Sequence, residues 1–191
     1  MQTELAQLRP LRAEDAAALV EAASDGKLWQ LWYTQVPDAA TVEAYVAEAL
    51  REQQLGRALP FAVVERATGR LIGTTRYCNA ETTHRRLEIG YTWYAASWQR
   101  TALNTQCKLV LLQHAFEVLG CVAVEFRTHW HNQQSRAAIA RLGAKQDGVL
   151  RNHRLEPDGA RRDTVVFSIL DSEWPSVRKS LQHRLVRHAE R

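Results

Sequence analysis

Between positions 87 and 128 the hydrophobic period of the chain changes twice. Residues 87–94 alternate at period two, with Leu87, Ile89, Tyr91 and Trp93 on one face and Glu88, Gly90, Thr92 and Tyr94 on the other. Residues 102–119 then place Leu103, Cys107, Val110, Leu111 and Val118 at helical spacing, and Gly120 follows as a stop. Val122, Val124 and Phe126 alternate again with Ala123, Glu125 and Arg127. A strand, a helix of about five turns and a second strand make a βαβ-type unit, which joins parallel neighbours. Such a unit excludes an all-α or all-β fold. It also opens a ligand crevice at the carboxyl ends of its strands. The loop at 98–104 leads into the helix N-terminus, where free N–H groups and a partial positive charge can hold phosphate.

The rest of the chain supplies the layers around this unit. A short strand is expected at 7–12, and an Ala-rich helix at 16–23 ends at Ser24-Asp25-Gly26. A second helix capped by Asp38 or Thr41 runs to Leu55, with Gly56 as its stop. Strands at 61–65 and 71–78 form a hairpin around Thr68-Gly69. Asn132 opens a helix to Leu142, stopped by Gly143. Two late strands, 144–155 and 163–170, meet at a Pro157-Asp158-Gly159 turn. The expected order is βααβββαβαββ plus a C-terminal helix: an α/β (α+β) domain with a mixed central sheet of about seven strands flanked by helices.

Charge divides the chain. Lys plus Arg number 25 against 21 acidic residues, a net +4 over 191 residues. Arg178, Lys179, Arg184, Arg187 and Arg191 against Glu190 account for all of it, so residues 1–175 are neutral. The expected organisation is therefore one domain at 1–175 and a basic helical tail at 176–191. Val177, Leu181 and Leu185 give that tail a narrow apolar stripe, which leaves homodimerisation open. A neutral body argues against nucleic acid as the partner of the domain. The polar N-terminus lacks the apolar stretch of a signal peptide, and no apolar run reaches membrane-spanning length. The three cysteines, Cys78, Cys107 and Cys121, form no Cys-x-x-Cys pair, which fits a reducing cytoplasm. His129 and His131 lack further ligands at metal spacing, so no metal is expected.

The loop Gln99-Arg100-Thr101-Ala102-Leu103-Asn104 resembles the phosphate loop Gln/Arg-x-x-Gly-x-Gly/Ala of the Gcn5-related N-acetyltransferase (GNAT) superfamily. Leu87-Glu88-Ile89-Gly90-Tyr91 resembles the strand before that loop. Asn132-x-x-Ser135 with Arg141-Leu142-Gly143-Ala144 resembles the helix after the next strand, and the closing hairpin matches too. The likeness extends over roughly residues 8–174 and is greatest for the RimJ/RimL-like branch, which includes acetyltransferases of ribosomal-protein N-termini. Two positions depart from the pattern: Ala102 stands at its glycine and Asn104 at its Gly/Ala. Glycine lets backbone approach a pyrophosphate closely, whereas Asn104 adds a side chain that can bond or crowd a phosphate.

The resemblance implies a GNAT fold and an acetyl-CoA-dependent N-acetyltransferase. It would move an acetyl group to a primary amine, a protein N-terminus or a small-molecule amine, by direct attack. Glu88 is the expected base, the alternative being an ion pair with Arg127 or Arg76. Acetyl-CoA contacts are expected from Tyr91, Thr92, Gln99, Arg100, Thr101, Ala102, Leu103, Asn104, Thr105 and Asn132. Relatives carry a tyrosine acid where this chain has Ile139, so Ser135 is the expected hydrogen-bond donor to the leaving thiolate. Trp29, Trp32 and Tyr33 are expected to wall the acceptor pocket. Two other functions stay open: a non-catalytic CoA-binding domain, and a ribosome- or nucleic-acid-associated protein acting through its basic tail.

Overall fold

The structure, a computed structural model, describes residues 1–156 and 158–189. Seven strands form one sheet in the order β1-β2-β3-β4-β5-β7-β6. They are β1 (Ala6–Pro10), β2 (Leu59–Glu65), β3 (Leu71–Glu81), β4 (Arg86–Tyr94), β5 (Ala123–His129), β6 (Lys145–Leu155) and β7 (Arg161–Leu170). The helices are α1 (Ala16–Ser24), α2 (Val42–Gln54), α3 (Leu103–Gln113), α4 (Gln133–Arg141) and α5 (Trp174–Ala189). Element order and fold class are those expected. Of the expected closing turn, Pro157 lies outside the described residues. Among the described residues no helix is long and apolar enough to cross a membrane.

The pleat sorts side chains into two cores. Leu8, Phe61, Val63, Leu87 and Ile89 pack with Leu103, Cys107 and Leu111 of α3 on one face. Leu11, Ala62 and Trp93 pack with Leu19 of α1 and Val46 of α2 on the other. Helices on both faces explain why the central strands carry few exposed residues. All three cysteines are buried and unpaired.

Three local expectations change. The helix after β4 ends in a π-helical turn, His114–Val118. The widened turn rotates the apolar stripe, so Val118 is 68% exposed instead of packed. On β4, Tyr91 has φ +50°, and Tyr91 and Thr92 together lie opposite Thr75 between the pairs Arg76↔Gly90 and Thr74↔Trp93. This bulge reverses the alternation: Leu87, Ile89 and Tyr94 join one core while Trp93 joins the other. Finally, the boundary expected at residue 176 falls inside α5. Trp174, Val177 and Leu181 of that helix are buried in the α3-side core, and Trp174 stacks on Phe116 with ring centroids 5.3 Å apart. Gly143, at φ +101°, ends α4 where a Cβ would stand 3.1 Å from Val177.

Candidate active site

β4 and β5 are the one parallel pair among the described strands, and their ladder runs only from Arg86↔Ala123 to Glu88↔Glu125. Beyond it the strands separate. The β5-facing backbone of β4 past Glu88 therefore has no ladder partner, and a cleft of about 890 Å³ opens there. The bulge at Tyr91 and Thr92 lies on its wall.

Glu88 sits at the apex, where the strands part. It is 7% exposed and lines the cleft. Asn79 Nδ2 donates to its Oε2 at 2.8 Å, and Arg127 Nε lies 3.6 Å from the same oxygen. Burial raises its pKa above the usual carboxylate value, against the Asn79 hydrogen bond and the Arg127 charge. Of the two arginines weighed as partners, only Arg127 is in ion-pair range.

Lys108 of α3 enters the cleft floor, a position the sequence conceals because it falls among the apolar residues of a core helix. Its Nζ donates to Thr92 Oγ1 at 2.6 Å and to Thr75 Oγ1 at 3.4 Å, and the two threonine hydroxyls are 2.7 Å apart. Burial lowers its pKa to about 7. Arg76 of β3, weighed in the sequence only as an ion-pair partner for Glu88, is another charged residue placed in the cleft. The only sign of it in the sequence is a charged side chain within a β-branched, aromatic strand. It is 3% exposed and its guanidinium lies 3.9 Å from the Tyr91 ring centroid.

The expected phosphate loop lies at the carboxyl end of β4. Gln99 Nε2 donates to Tyr94 O at 3.0 Å, and Gln134 Nε2 of α4 donates to Gln99 Oε1 at 3.1 Å. Gln99 thereby ties β4 to α4 across the mouth of the cleft. Arg100, at φ +61°, and Asn104 also line the cleft. Thr101, Ala102, Leu103 and Thr105 do not line it. Thr101 Oγ1 takes the Leu103 N–H at 3.2 Å, and the Leu103 side chain is wholly buried in the core. Among the described residues no acceptor takes the N–H of Asn104 or Thr105. Two free N–H groups in the first turn of α3, with Arg100 in the loop that leads into it, are donors of the kind a pyrophosphate accepts. Ala102 sits in right-handed φ/ψ as the N-cap, so the missing glycine leaves the turn intact.

On the opposite wall Asn132 caps α4, its Oδ1 accepting the Ser135 N–H at 2.9 Å. Asn132, half-buried Ser135 and buried Ile139 all line the cleft. Of the three aromatics expected around the acceptor, Tyr33 lines it. Trp29 instead packs against the α1–α2 core, because it lies in a helical turn whose apolar side faces inward. Trp32, 67% exposed, stands outside the lining and packs edge-on against His129, with centroids 5.1 Å apart. The His131 ring lies 5.5 Å from His129. Among the described residues no group of three or more His, Cys, Asp or Glu is placed to hold a metal ion.

Charge concentrates in this cleft. Arg57, Arg76, Arg100, Lys108, Arg127, Arg141, Arg154 and Arg162 line it, against Glu48, Glu52 and Glu88. A body neutral in sum thus carries a cationic hollow.

A mixed sheet split between its two parallel strands, with a bulge on one wall and a helix N-terminus at the mouth, defines an acetyltransferase fold. Residues 6–145 match the acetyltransferase (GNAT) domain, and the chain belongs to that family. The structure superposes on a GCN5-related N-acetyltransferase from Brucella melitensis with a TM-score of 0.86 at 29% identity, covering 95% of this chain and 83% of that one. Within the family it falls in the RimJ/RimL-like branch. Mycobacterium smegmatis RimJ, solved with CoA-disulfide, matches with a TM-score of 0.75 at 28% identity, covering 94% of this chain and 87% of that one. YdaF of Bacillus subtilis, provisionally named a ribosomal N-acetyltransferase, is 32% identical over 106 residues, 56% of this chain and 57% of that protein.

Proposed function

We propose that the protein transfers the acetyl group of acetyl-CoA to a primary amine by direct attack, the acceptor being a protein N-terminus or a small-molecule amine. The observation that carries this reading is the splay of β4 from β5 beyond Glu88, with a buried carboxylate at its apex. Acetyl-CoA supplies the activated acyl thioester. Asn104 and Thr105 N–H groups and Arg100 hold its pyrophosphate, and the unpaired backbone of β4 takes its amide groups. The backbone N–H at Tyr91 or Thr92 stabilises charge developing on the carbonyl oxygen.

Glu88 accepts the proton that the amine must lose. Its raised pKa supports the role, because basicity closer to that of the amine makes transfer easier. Ser135 donates a hydrogen bond to the departing sulfur. Tyr33 contacts the acceptor, with Trp32 outside the pocket beside His129. The name of YdaF favours a protein acceptor for that relative; for this chain a protein N-terminus is one of the two acceptor classes proposed. A second reading, a domain that holds CoA without turnover, draws on Ile139, which has no proton to give.

Release of CoA thiol from acetyl-CoA, measured across N-terminal peptides and small amines, separates the two. Turnover with one acceptor class that falls about 100-fold or more in Glu88→Gln supports transfer. CoA binding with no thiol release from any acceptor supports the second reading.

A further inference from the structure

Arg76 is a buried cation without a counter-ion. Its Nε and Nη2 are inaccessible to solvent and have no hydrogen-bond partner among the described residues. A guanidinium cannot shed its proton, and a buried charge left unpaired is unfavourable unless something completes it. The neighbouring carboxylates are already engaged. Glu52, whose pKa the Arg76 charge helps lower, is held by Arg57 at 2.6 Å and by Arg51 at 3.2 Å. Glu88 is held by Asn79 and Arg127.

The rings around Arg76 explain how it stays in place. Its Cζ lies 3.9 Å from the Tyr91 ring centroid and 5.1 Å from that of Tyr45. Aromatic faces support the plane of a guanidinium and leave its N–H edge free for a planar anion. Arg76 lines the cleft; with Nε and Nη2 sealed from solvent, a carboxylate entering there meets Nη1 first and reaches the fork as the flanking rings give way. Arg162 of β7 lines the same cleft with a second orphan: its buried Nε has no partner, and its nearest carboxylate, Glu156, is 3.8 Å away.

Register sets the spacing. Arg76 pairs with Gly90 and Cys78 with Glu88, so Arg76 and Glu88 are diagonal neighbours on β3 and β4. Diagonal neighbours stand about 7–8 Å apart, a span of a few covalent bonds. We propose that Arg76 is an acceptor-specificity residue that binds a carboxylate lying a few bonds from the reacting amine. The substrate class is then an amino-carboxylate, supplied either as a small amino acid or as a peptide N-terminus followed by an acidic side chain. The inference rests on the acetyltransferase reading, since it takes Glu88 as the point where the amine is held. The phosphates of CoA belong elsewhere, at the α3 N-terminus beyond the end of β4.

Paired probes test it. β-Alanine is compared with β-alaninamide, and the peptide Ser-Glu-Ala-Ala-amide with Ser-Gln-Ala-Ala-amide. Binding to the CoA-saturated protein is measured by calorimetry and kcat/KM by thiol release, for the parent and Arg76→Gln. The carboxylate member of at least one pair should be favoured by about 10- to 100-fold in the parent, with the preference erased in Arg76→Gln. Whichever pair responds identifies the source of the carboxylate. Arg76→Lys, which keeps the charge and loses the fork, should retain part of the preference. Equal binding of both members, a preference that survives Arg76→Gln, or no binding of any probe would overturn the proposal. Circular dichroism and CoA affinity show whether the variant is folded. Failure of the underlying reading looks different: the parent would not bind acetyl-CoA, or would bind it and release no thiol with any amine, carboxylate-bearing or not.

Discussion

Glu88 and Lys108 are two buried titratable groups with opposite legibility. Glu88 could be picked out in the sequence mainly through the family resemblance, because the RimJ/RimL-like branch often has an acidic residue at this position on the strand beside the crevice. Lys108 could not, because its helical position is that of a core residue and only the fold brings Thr92 of the bulge and Thr75 opposite it within reach of its Nζ. Each makes a pH prediction. As a base, Glu88 works only when ionised, so kcat/KM should fall as pH drops through its raised pKa. The acid limb should therefore lie above the ordinary carboxylate range in the parent and vanish in Glu88→Gln. An acid limb that persists in Glu88→Gln would remove Glu88 from the role. Lys108 has its pKa lowered from 10.5 to about 7, so between these values the unfolded chain binds a proton that the folded chain does not. Stability contributed by this group therefore rises with pH across that window. Lys108→Met should flatten the rise and raise Tm at neutral pH by at least about 2–4 °C, the equivalent of about 1 kcal/mol in a chain this long. Thermal melts at pH 7 and pH 9 measure both effects. Ser135→Ala should lower kcat less than Glu88→Gln, because water can replace a hydroxyl donor.

At the scale of elements, the strand–helix–strand unit was legible from its periods, and the break in β4 was not. Neither glycine nor asparagine marks the left-handed residue: Tyr91 takes φ +50° because the bulge is held by tertiary contacts, Arg76 against its ring and Lys108 against Thr92. The same limit applies to the phosphate loop. Its position could be read, but not which N–H groups it leaves free, since Thr101 Oγ1 already takes that of Leu103. Among the described residues the N–H groups of Arg100, Thr101, Ala102, Asn104 and Thr105 take no acceptor, and those of Asn104 and Thr105 are the two in the first turn of α3. Asn104→Pro, tolerated in a first helical turn, should weaken CoA binding about tenfold with the fold retained. Arg100→Gly separates charge from geometry. Arg100 sits at φ +61°, where a non-glycine residue costs about 1–2 kcal/mol. The variant should be at least as stable as the parent and bind CoA several-fold more weakly, as melting and calorimetry will show.

For the whole molecule, sequence arithmetic located the net charge in the last sixteen residues, and packing gives those residues a second character. Val177 and Leu181 are 8% and 1% exposed, and Arg178 Nη1 lies 2.9 Å from Glu117 Oε1. Charge counting sees a tail, whereas burial ties the first turns of α5 to α3. We expect the chain ending at Pro175 to keep its affinity for acetyl-CoA, because none of α5 lines the cleft. Its stability should fall by about 3–6 kcal/mol for the two lost side chains. Leu181→Ala alone should cost about 2–5 kcal/mol. Denaturant titration of both variants, with calorimetry of CoA binding, checks the division.

The central proposal is that the cleft, its cationic lining and its apical carboxylate serve one event, the movement of an acetyl group from sulfur to nitrogen. The most direct test is the mass of acceptor peptides and small amines incubated with the protein and acetyl-CoA, read beside the free thiol formed. An acceptor of one class heavier by one acetyl group on its primary amino nitrogen is expected, with one thiol released per acceptor modified. Thiol release with no gain in mass on any amine, or acetyl-CoA bound and returned unchanged in the presence of every acceptor, would contradict it.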